Sequence, residues 1–260
     1  MPMTDLLETL FTPRSLSIVF QRIFDITSDL PATWGIEALT RGAPGTHFER
    51  AGVLFDYVRL KHQESRVDRL CMAEALACAS ALDHLCVLSL NVHASTLERD
   101  DDLALFLEDA AARCGIDPVR IVVEIVEQVP YFDSKRLLRT LASLRAIGVR
   151  IAVDDLGFGN CNYRMILDAR PEFLKVDRYF VDGCAKDFHR QAVLRSIRGL
   201  ADDFGSVVIA EGVEQADDLS MLRTLGITVA QGFLLGRPSA NPFLTPHGIP
   251  RHPEAQTINA

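Results

Sequence analysis

Short apolar, β-branched runs recur along this chain, and nearly every one carries a polar side chain at its end. Residues 35–39 hold Glu37, 87–91 end on Asn91, 121–125 hold Glu124, and 151–155 end on Asp154 and Asp155. Residues 173–176 hold Lys175, 207–211 end on Glu211, and 227–231 end on Gln231, while an eighth run, 16–20, precedes them all. A run of this length reads as a buried strand. A polar residue at its end marks a tip that reaches into water. Apolar residues at three- and four-residue spacing fill the intervals, over 103–114, 135–148, 190–205 and 216–226, and the last three end on glycine as helix C-caps do. The tips recur about every 32 residues, the length of one β/α unit. The pattern predicts a TIM-like (β/α)8 barrel of the α/β class, with the tips on one shared floor. The long interval between Glu37 and Asn91 leaves room for an extra helix or lid around residues 48–61. The short one between Asp155 and Lys175 holds a loop and a short helix. The competing architecture is an open doubly wound sheet. It is weakened because GFGNC at 157–161 lacks the third glycine of a dinucleotide loop.

Length and charge narrow the function classes. At 260 residues the chain suits one large barrel, and its 48% hydrophobic and 24% charged residues are those of a soluble globule. A formal net charge of −8 argues against a nucleic-acid polymer and an anionic membrane as partners. No apolar stretch approaches the length of a membrane span, and the acidic N-terminus does not read as a secretion signal. The six cysteines form no CxxC pair, which predicts reduced thiols and a cytoplasmic location. Among them only Cys161 falls in an expected active-site loop. The expected organisation is an N-terminal extension over 1–15, a barrel domain over 16–240 and an irregular, proline-rich tail over 241–260. No sensor or cyclase domain is read, so input would come from expression level, self-association or a sensor or regulator protein in trans.

Five carboxylates and one lysine on a common floor leave a formal charge of −4, which two divalent cations would cancel. Oxygen donors favour Mg²⁺ or Mn²⁺ over Zn²⁺, and the scattered histidines form no HD or HxxEH pair. Two hard cations on one floor suit phosphodiester hydrolysis. Single acids of this kind are often helix caps or loop charges, but the whole set on strand tips points to a site.

Eight blocks follow one another along the chain: FQRIFD at 20–25, EALTR at 37–41, LNV at 90–92, VEIVE at 123–127, DDLGFG at 154–159, LKVDR at 174–178, AEGVE at 210–214 and QGFLLGRP at 231–238. In content and order they resemble the EAL domain family of bacterial cyclic di-GMP phosphodiesterases. The resemblance implies a barrel whose first strand runs antiparallel, with hydrolysis of cyclic di-GMP to linear pGpG. It implies two cations, Mg²⁺ or Mn²⁺, held by Glu37, Asn91, Glu124, Asp154, Asp155 and Glu211. It assigns catalysis to Lys175, Glu37 and Asp155. The lysine would deprotonate the attacking water or stabilise it, and its pKa should fall beside two cations. Gln21, Leu39, Arg41, Asp177, Glu214 and Gln231 match substrate-binding positions. Asp177 is further expected to hold Lys175 in place, and Glu127 to support the loop after Asp155. Glu214 and Arg237 read equally well as a rim ion pair. A homodimer is also implied.

The chain departs from the family pattern chiefly after Asp155. Leu156, Phe158, Asn160, Cys161 and Asn162 stand where the family carries Phe, Thr, Tyr, Ser and Ser, and Val126 replaces a threonine. None removes a cation ligand or the lysine. Two other readings therefore stand beside the phosphodiesterase: a receptor that binds cyclic di-GMP without cleaving it, and a protein-interaction module on the same scaffold.

Overall fold

The computed structural model describes residues 16–82, 86–126, 134–156 and 163–243. The expected extension over 1–15, Glu127, Cys161, the loop substitutions from Phe158 to Asn162 and the tail beyond 243 lie outside them.

Eight strands close into one barrel in sequence order, which sets aside the open sheet. They are β1 (Ser17–Asp25), β2 (Ala32–Arg41), β3 (Val87–His93), β4 (Ile121–Val126), β5 (Arg150–Leu156), β6 (Phe173–Val176), β7 (Val207–Ala210) and β8 (Val229–Ala230). From β2 to β8 every neighbouring pair is parallel. β1 is antiparallel to both its neighbours, β2 and β8. The reason is local. Only a short turn separates Asp25 from Ala32, too little chain for the crossover that a parallel pair requires. Asp25 tightens that turn by accepting hydrogen bonds from the Thr27 backbone N–H at 2.8 Å and its hydroxyl at 2.6 Å. Two expected strands need correction. β1 runs on to Asp25, beyond the expected end at residue 20, because FQRIFD continues the ladder with β2. β8 is only two residues long, because Ile227 closes the turn out of the preceding helix and the Thr228 carbonyl accepts from the Ile26 N–H at 2.8 Å.

Nine α-helices among the described residues wrap the strands: α1 (Ala51–Leu60), α2 (Glu64–Ser80), α3 (Ala94–Arg99), α4 (Leu103–Arg113), α5 (Ser134–Ala146), α6 (Tyr163–Ala169), α7 (Arg178–Val181), α8 (Phe188–Phe204) and α9 (Ala216–Thr224). Gly148, Gly205 and Gly226 follow α5, α8 and α9 with positive φ, as their expected C-cap role requires. The extra helix expected around residues 48–61 is α1, preceded by a 3-10 turn at His47–Glu49. Among the described residues, the short crossover after Asp155 carries the seven-residue α6.

Alternation along the strands divides the core in two. Outward residues such as Ile36, Leu88, Leu90, Val123, Ile151 and Leu174 pack under the helices. Inward residues Ile23, Val122, Ala152, Phe173, Ile209 and Val229 fill the barrel, with Trp34 set edge-on to Phe173. This apolar plug leaves the polar inward residues of the same strands at the C-terminal mouth. α1 belongs to neither core. Its Leu54 and Val58 pack with Leu16, Val67 and Cys71 in a satellite cluster, so α1 roofs the mouth as a separate piece.

Candidate active site

Lys175 projects inward from β6 and is almost wholly buried at 1% exposure. Four carboxylates from four other strand ends close on its ammonium group. Nζ lies 2.7 Å from Glu124 Oε2, 2.7 Å from Glu211 Oε1, 3.3 Å from Asp154 Oδ1 and 3.5 Å from Glu37 Oε2. Burial opposes its charge, but Asp154, Glu124, Glu211 and Glu37 outweigh that and hold Lys175 well above the usual lysine value. The fall expected beside two cations would have to overcome this cage. Asp177 does not hold the lysine, contrary to expectation. It lies just past the strand and turns its carboxylate to the Tyr179 N–H at 2.8 Å, capping α7.

The carboxylates differ in how their charge is met. Burial works against Glu37, yet Lys175 and hydrogen bonds from Asn91 Nδ2 at 2.9 Å and Gln231 Nε2 at 2.8 Å bring it below the usual carboxylate range. Burial pushes Glu124 up to about 8, with Glu37 and Asp154 adding to the shift against the pull of Lys175. Burial and the nearby Asp154 and Asp177 raise Asp155 to about 6. Glu211 is raised well above its ordinary value, again by burial first, with Asp154 and Glu37 adding to it. Asp155 also holds a left-handed backbone at φ 52°, while its N–H donates to Asp154 Oδ1 at 2.9 Å. Non-glycine residues adopt that region rarely, with Asp and Asn among the more tolerant.

This donor set fits divalent cations. Asp154, Asp155 and Glu211 bring carboxylate oxygens within 4.8 Å of one another. Glu124 Oε1 is buried with no hydrogen-bond partner among the described residues. One lysine therefore leaves the crowded acids only partly compensated, and hard oxygen donors suit Mg²⁺ or Mn²⁺.

Two pockets flank the cage and share Glu37. The first, about 310 Å³, lies under α1 and includes Leu39, Arg41, Asn91, Asp154 and Asp155. Arg41 donates to the Thr40 carbonyl at 2.9 Å from this wall. The second, about 250 Å³, lies between the β1 and β8 side of the mouth and the turns after β6 and β7. Gln21, Asp177, Glu211, Glu214 and Gln231 line it. Gln231 Nε2 also donates to Gln21 Oε1 at 3.1 Å, and Gln21 Nε2 donates to the Gly236 carbonyl at 3.0 Å. Glu214 pairs with Arg178 at 2.8 Å, so the expected rim ion pair exists with a different partner. Arg237 instead lies over the Phe233 ring, 4.3 Å from its centroid.

The far wall of the first pocket was not foreseen. It carries Glu64 and Asp68 of α2 and His93 of β3. Asp68 accepts from the His93 N–H at 2.9 Å and the Thr96 hydroxyl at 2.6 Å. Burial raises it to about 7, with Glu64 and Asp100 adding to the shift. The signal in the sequence is the pair of acids at i and i+4, in line with the buried Cys71, Met72 and Ala75. Acids on the apolar face of a helix mark a wall that meets something polar.

Comparison with known proteins agrees with this geometry. The family model described as EAL domain matches residues 4–238. The chain is 32% identical over 146 residues to the cyclic di-GMP phosphodiesterase TpdA of Vibrio parahaemolyticus, covering 56% of this chain and 25% of that protein. It is 30% identical over 231 residues to the oxygen sensor protein DosP of Escherichia coli, covering 86% of this chain and 28% of that protein. The chain thus spans about a quarter of the length of these curated relatives. Among solved structures, the manganese and cyclic di-GMP complex of Klebsiella pneumoniae BlrP1 superposes with a TM-score of 0.76 at 26% identity, covering 86% of this chain and 56% of that one. A stand-alone EAL protein of Vibrio cholerae superposes with a TM-score of 0.78 at 24% identity, covering 87% and 93%, and speaks to the fold. With a matching family model over nearly its whole length and a lysine caged by strand-end carboxylates in a closed barrel, this chain belongs to the EAL domain family.

Proposed function

We propose that this chain hydrolyses cyclic di-GMP to linear pGpG with the help of two divalent cations, Mg²⁺ or Mn²⁺. The observation that carries the reading is the complete cage, in which Glu37, Glu124, Asp154 and Glu211 surround Lys175 with Asp155 at the rim. Relatives named as cyclic di-GMP phosphodiesterases support the substrate class. Glu37, Asn91, Glu124, Asp154, Asp155 and Glu211 would hold the two cations. Bound there, the cations supply activation of a water and stabilisation of charge on the phosphoryl oxygens.

The chain's own residues do the rest. Lys175, 2.7 Å from both Glu124 and Glu211, donates hydrogen bonds that orient and stabilise the attacking oxygen. Water adds to phosphorus, one P–O bond of the ring breaks, and the leaving oxygen takes a proton. Arg41 presents a planar fork suited to a phosphate on the first-pocket side. Pockets on both sides of Glu37 suit a symmetric ligand with a base at each end. In the first, Phe55, Met72 and Leu90 offer apolar walls, and Glu64 and Asp68 offer acceptors for the N–H edge of guanine. Gln231 and Gln21 brace Glu37 from the second.

The test is chromatography of cyclic di-GMP after incubation with the protein and Mn²⁺, beside equilibrium binding of the same nucleotide. Conversion to pGpG, abolished by chelator, is the expected result. Tight binding without conversion would make the chain a receptor, and no binding would remove the nucleotide from its function.

A further inference from the structure

Gln21 of β1 and Glu37 of β2 stand opposite each other across the strand pair, and both are buried at the mouth. The link between them runs through Gln231, which is buried as well. Gln21 Nε2 donates to the Gly236 carbonyl at 3.0 Å, which leaves its Oε1 to accept from the other side. Gln231 Nε2 supplies that donor at 3.1 Å, and the same nitrogen donates to Glu37 Oε2 at 2.8 Å. Turned over, the Gln231 amide would set its oxygen against two others. Each bond therefore fixes the direction of the next, from the Gly236 carbonyl to the carboxylate. The starting point is itself held. The Gly236 N–H donates to the Gly232 carbonyl at 3.0 Å, and Ser239 pairs with Phe20 through backbone bonds of 2.8 and 3.0 Å. Gly232 is pressed against the turn after β7, where an added Cβ would come within 2.1 Å of the Val213 carbonyl oxygen.

We propose that Gln21 is a positioning residue for the cation ligand Glu37, acting through Gln231, rather than a contact of the nucleotide. Its amide converts the fixed turn over residues 232–239 into a fixed orientation of Gln231, and Gln231 holds Glu37 toward the cage. With Gln21 gone, Gln231 keeps the carboxylate as its partner and swings with the group it should restrain. Ligands held from behind by hydrogen bonds keep their geometry, and loss of such a partner costs roughly ten- to a hundredfold in metal affinity. The inference rests on the reading of the cage as a cation site. It adds a dependence on β1, the antiparallel strand, which carries none of the cation ligands.

The test measures Mn²⁺ binding by calorimetry to the nucleotide-free protein, for the wild type, Gln21→Met, Gln231→Met and the double variant. Methionine keeps the shape of glutamine without its hydrogen bonds. Gln21→Met should weaken Mn²⁺ binding about tenfold. In the Gln231→Met background the same change should cost nothing further, because a relay in series is already broken. Gln21→Asn, one methylene too short to reach both Gly236 and Gln231, should lose as much as Gln21→Met. Thermal melts in chelator establish that the variants are folded. Losses that add in the double variant, or full affinity in Gln21→Asn, would overturn the proposal. So would unchanged Mn²⁺ affinity with a raised KM for cyclic di-GMP, which would make Gln21 a substrate contact. Since no nucleotide is present, a wild type that binds Mn²⁺ separates failure of this inference from failure to cleave cyclic di-GMP. If the wild type binds no Mn²⁺, both the inference and the cation reading fall.

Discussion

Glu37 and Asp68 are both buried carboxylates, yet their surroundings move them in opposite directions. Glu37 has a lysine and two amide donors, and it stays ionised. Asp68 has one hydroxyl and one backbone N–H, with Glu64 and Asp100 nearby, and rises to about 7. An unfolded aspartate titrates near 4, roughly three units lower. Between about pH 4 and 7 the native state therefore keeps a proton that the unfolded state has released, so stability falls as pH rises through that window. Asp68→Asn keeps an acceptor for His93 and Thr96 without the charge. It should flatten the profile, gaining on the order of 3 kcal/mol over the wild type at pH 8 relative to pH 4. Urea unfolding across that range checks this, and parallel profiles would contradict it. The sequence shows why Asp68 escaped notice. Glu37, Glu124, Asp154 and Glu211 each stand within or at the end of an apolar run, where an acid is conspicuous. Asp68 sits in a helix rich in Glu and Arg, where only its alignment with Cys71 and Met72 sets it apart.

At the scale of elements, the strand-end pattern carried most of the barrel but not its closure. The direction of β1 follows from a short hairpin, and that hairpin is visible only once β1 is extended to Asp25. The alternation SIVFQRIFD contains Gln21 and Arg22, which break the apolar run and invite an early stop. Gln21 faces the polar mouth opposite Glu37, so its polarity is the mark of an inward residue at the rim rather than of a strand end. The roof, α1, is fixed by a close backbone crossing. A Cβ on Gly42 would come within 2.1 Å of the Phe48 carbonyl oxygen. Gly42→Ala should force that turn outward, at a cost of about 1–3 kcal/mol. It should displace Phe55 and Arg59 from the first pocket and raise KM more than it lowers kcat. Urea unfolding and steady-state kinetics check both parts. An unchanged KM would show that the roof is not part of the substrate site.

For the whole molecule, the barrel mouth couples stability to cations. Closing the barrel gathers acids from separate strands around one lysine, and the excess negative charge opposes the fold until something positive binds. Mg²⁺ or Mn²⁺ should raise the melting temperature, since a ligand of the native state alone stabilises it by about 2.7 kcal/mol at a hundred times its Kd. Asp155→Asn tolerates the left-handed backbone at that position and removes one of the crowded charges. At pH 8 it should melt higher than the wild type in chelator and gain less from metal. A variant that lost stability in chelator, or gained as much from metal as the wild type, would separate Asp155 from the cation site. Among the described residues no helix is long and apolar enough to cross a membrane, in keeping with the even composition.

The central claim is that the cage around Lys175 is a cation-dependent phosphodiesterase site. Turnover of cyclic di-GMP with Mn²⁺ by the wild type, beside Lys175→Ala and Glu37→Ala, tests it most directly. The wild type should yield pGpG, and each variant should lose about a hundredfold or more. Activity that survives both substitutions would contradict the account.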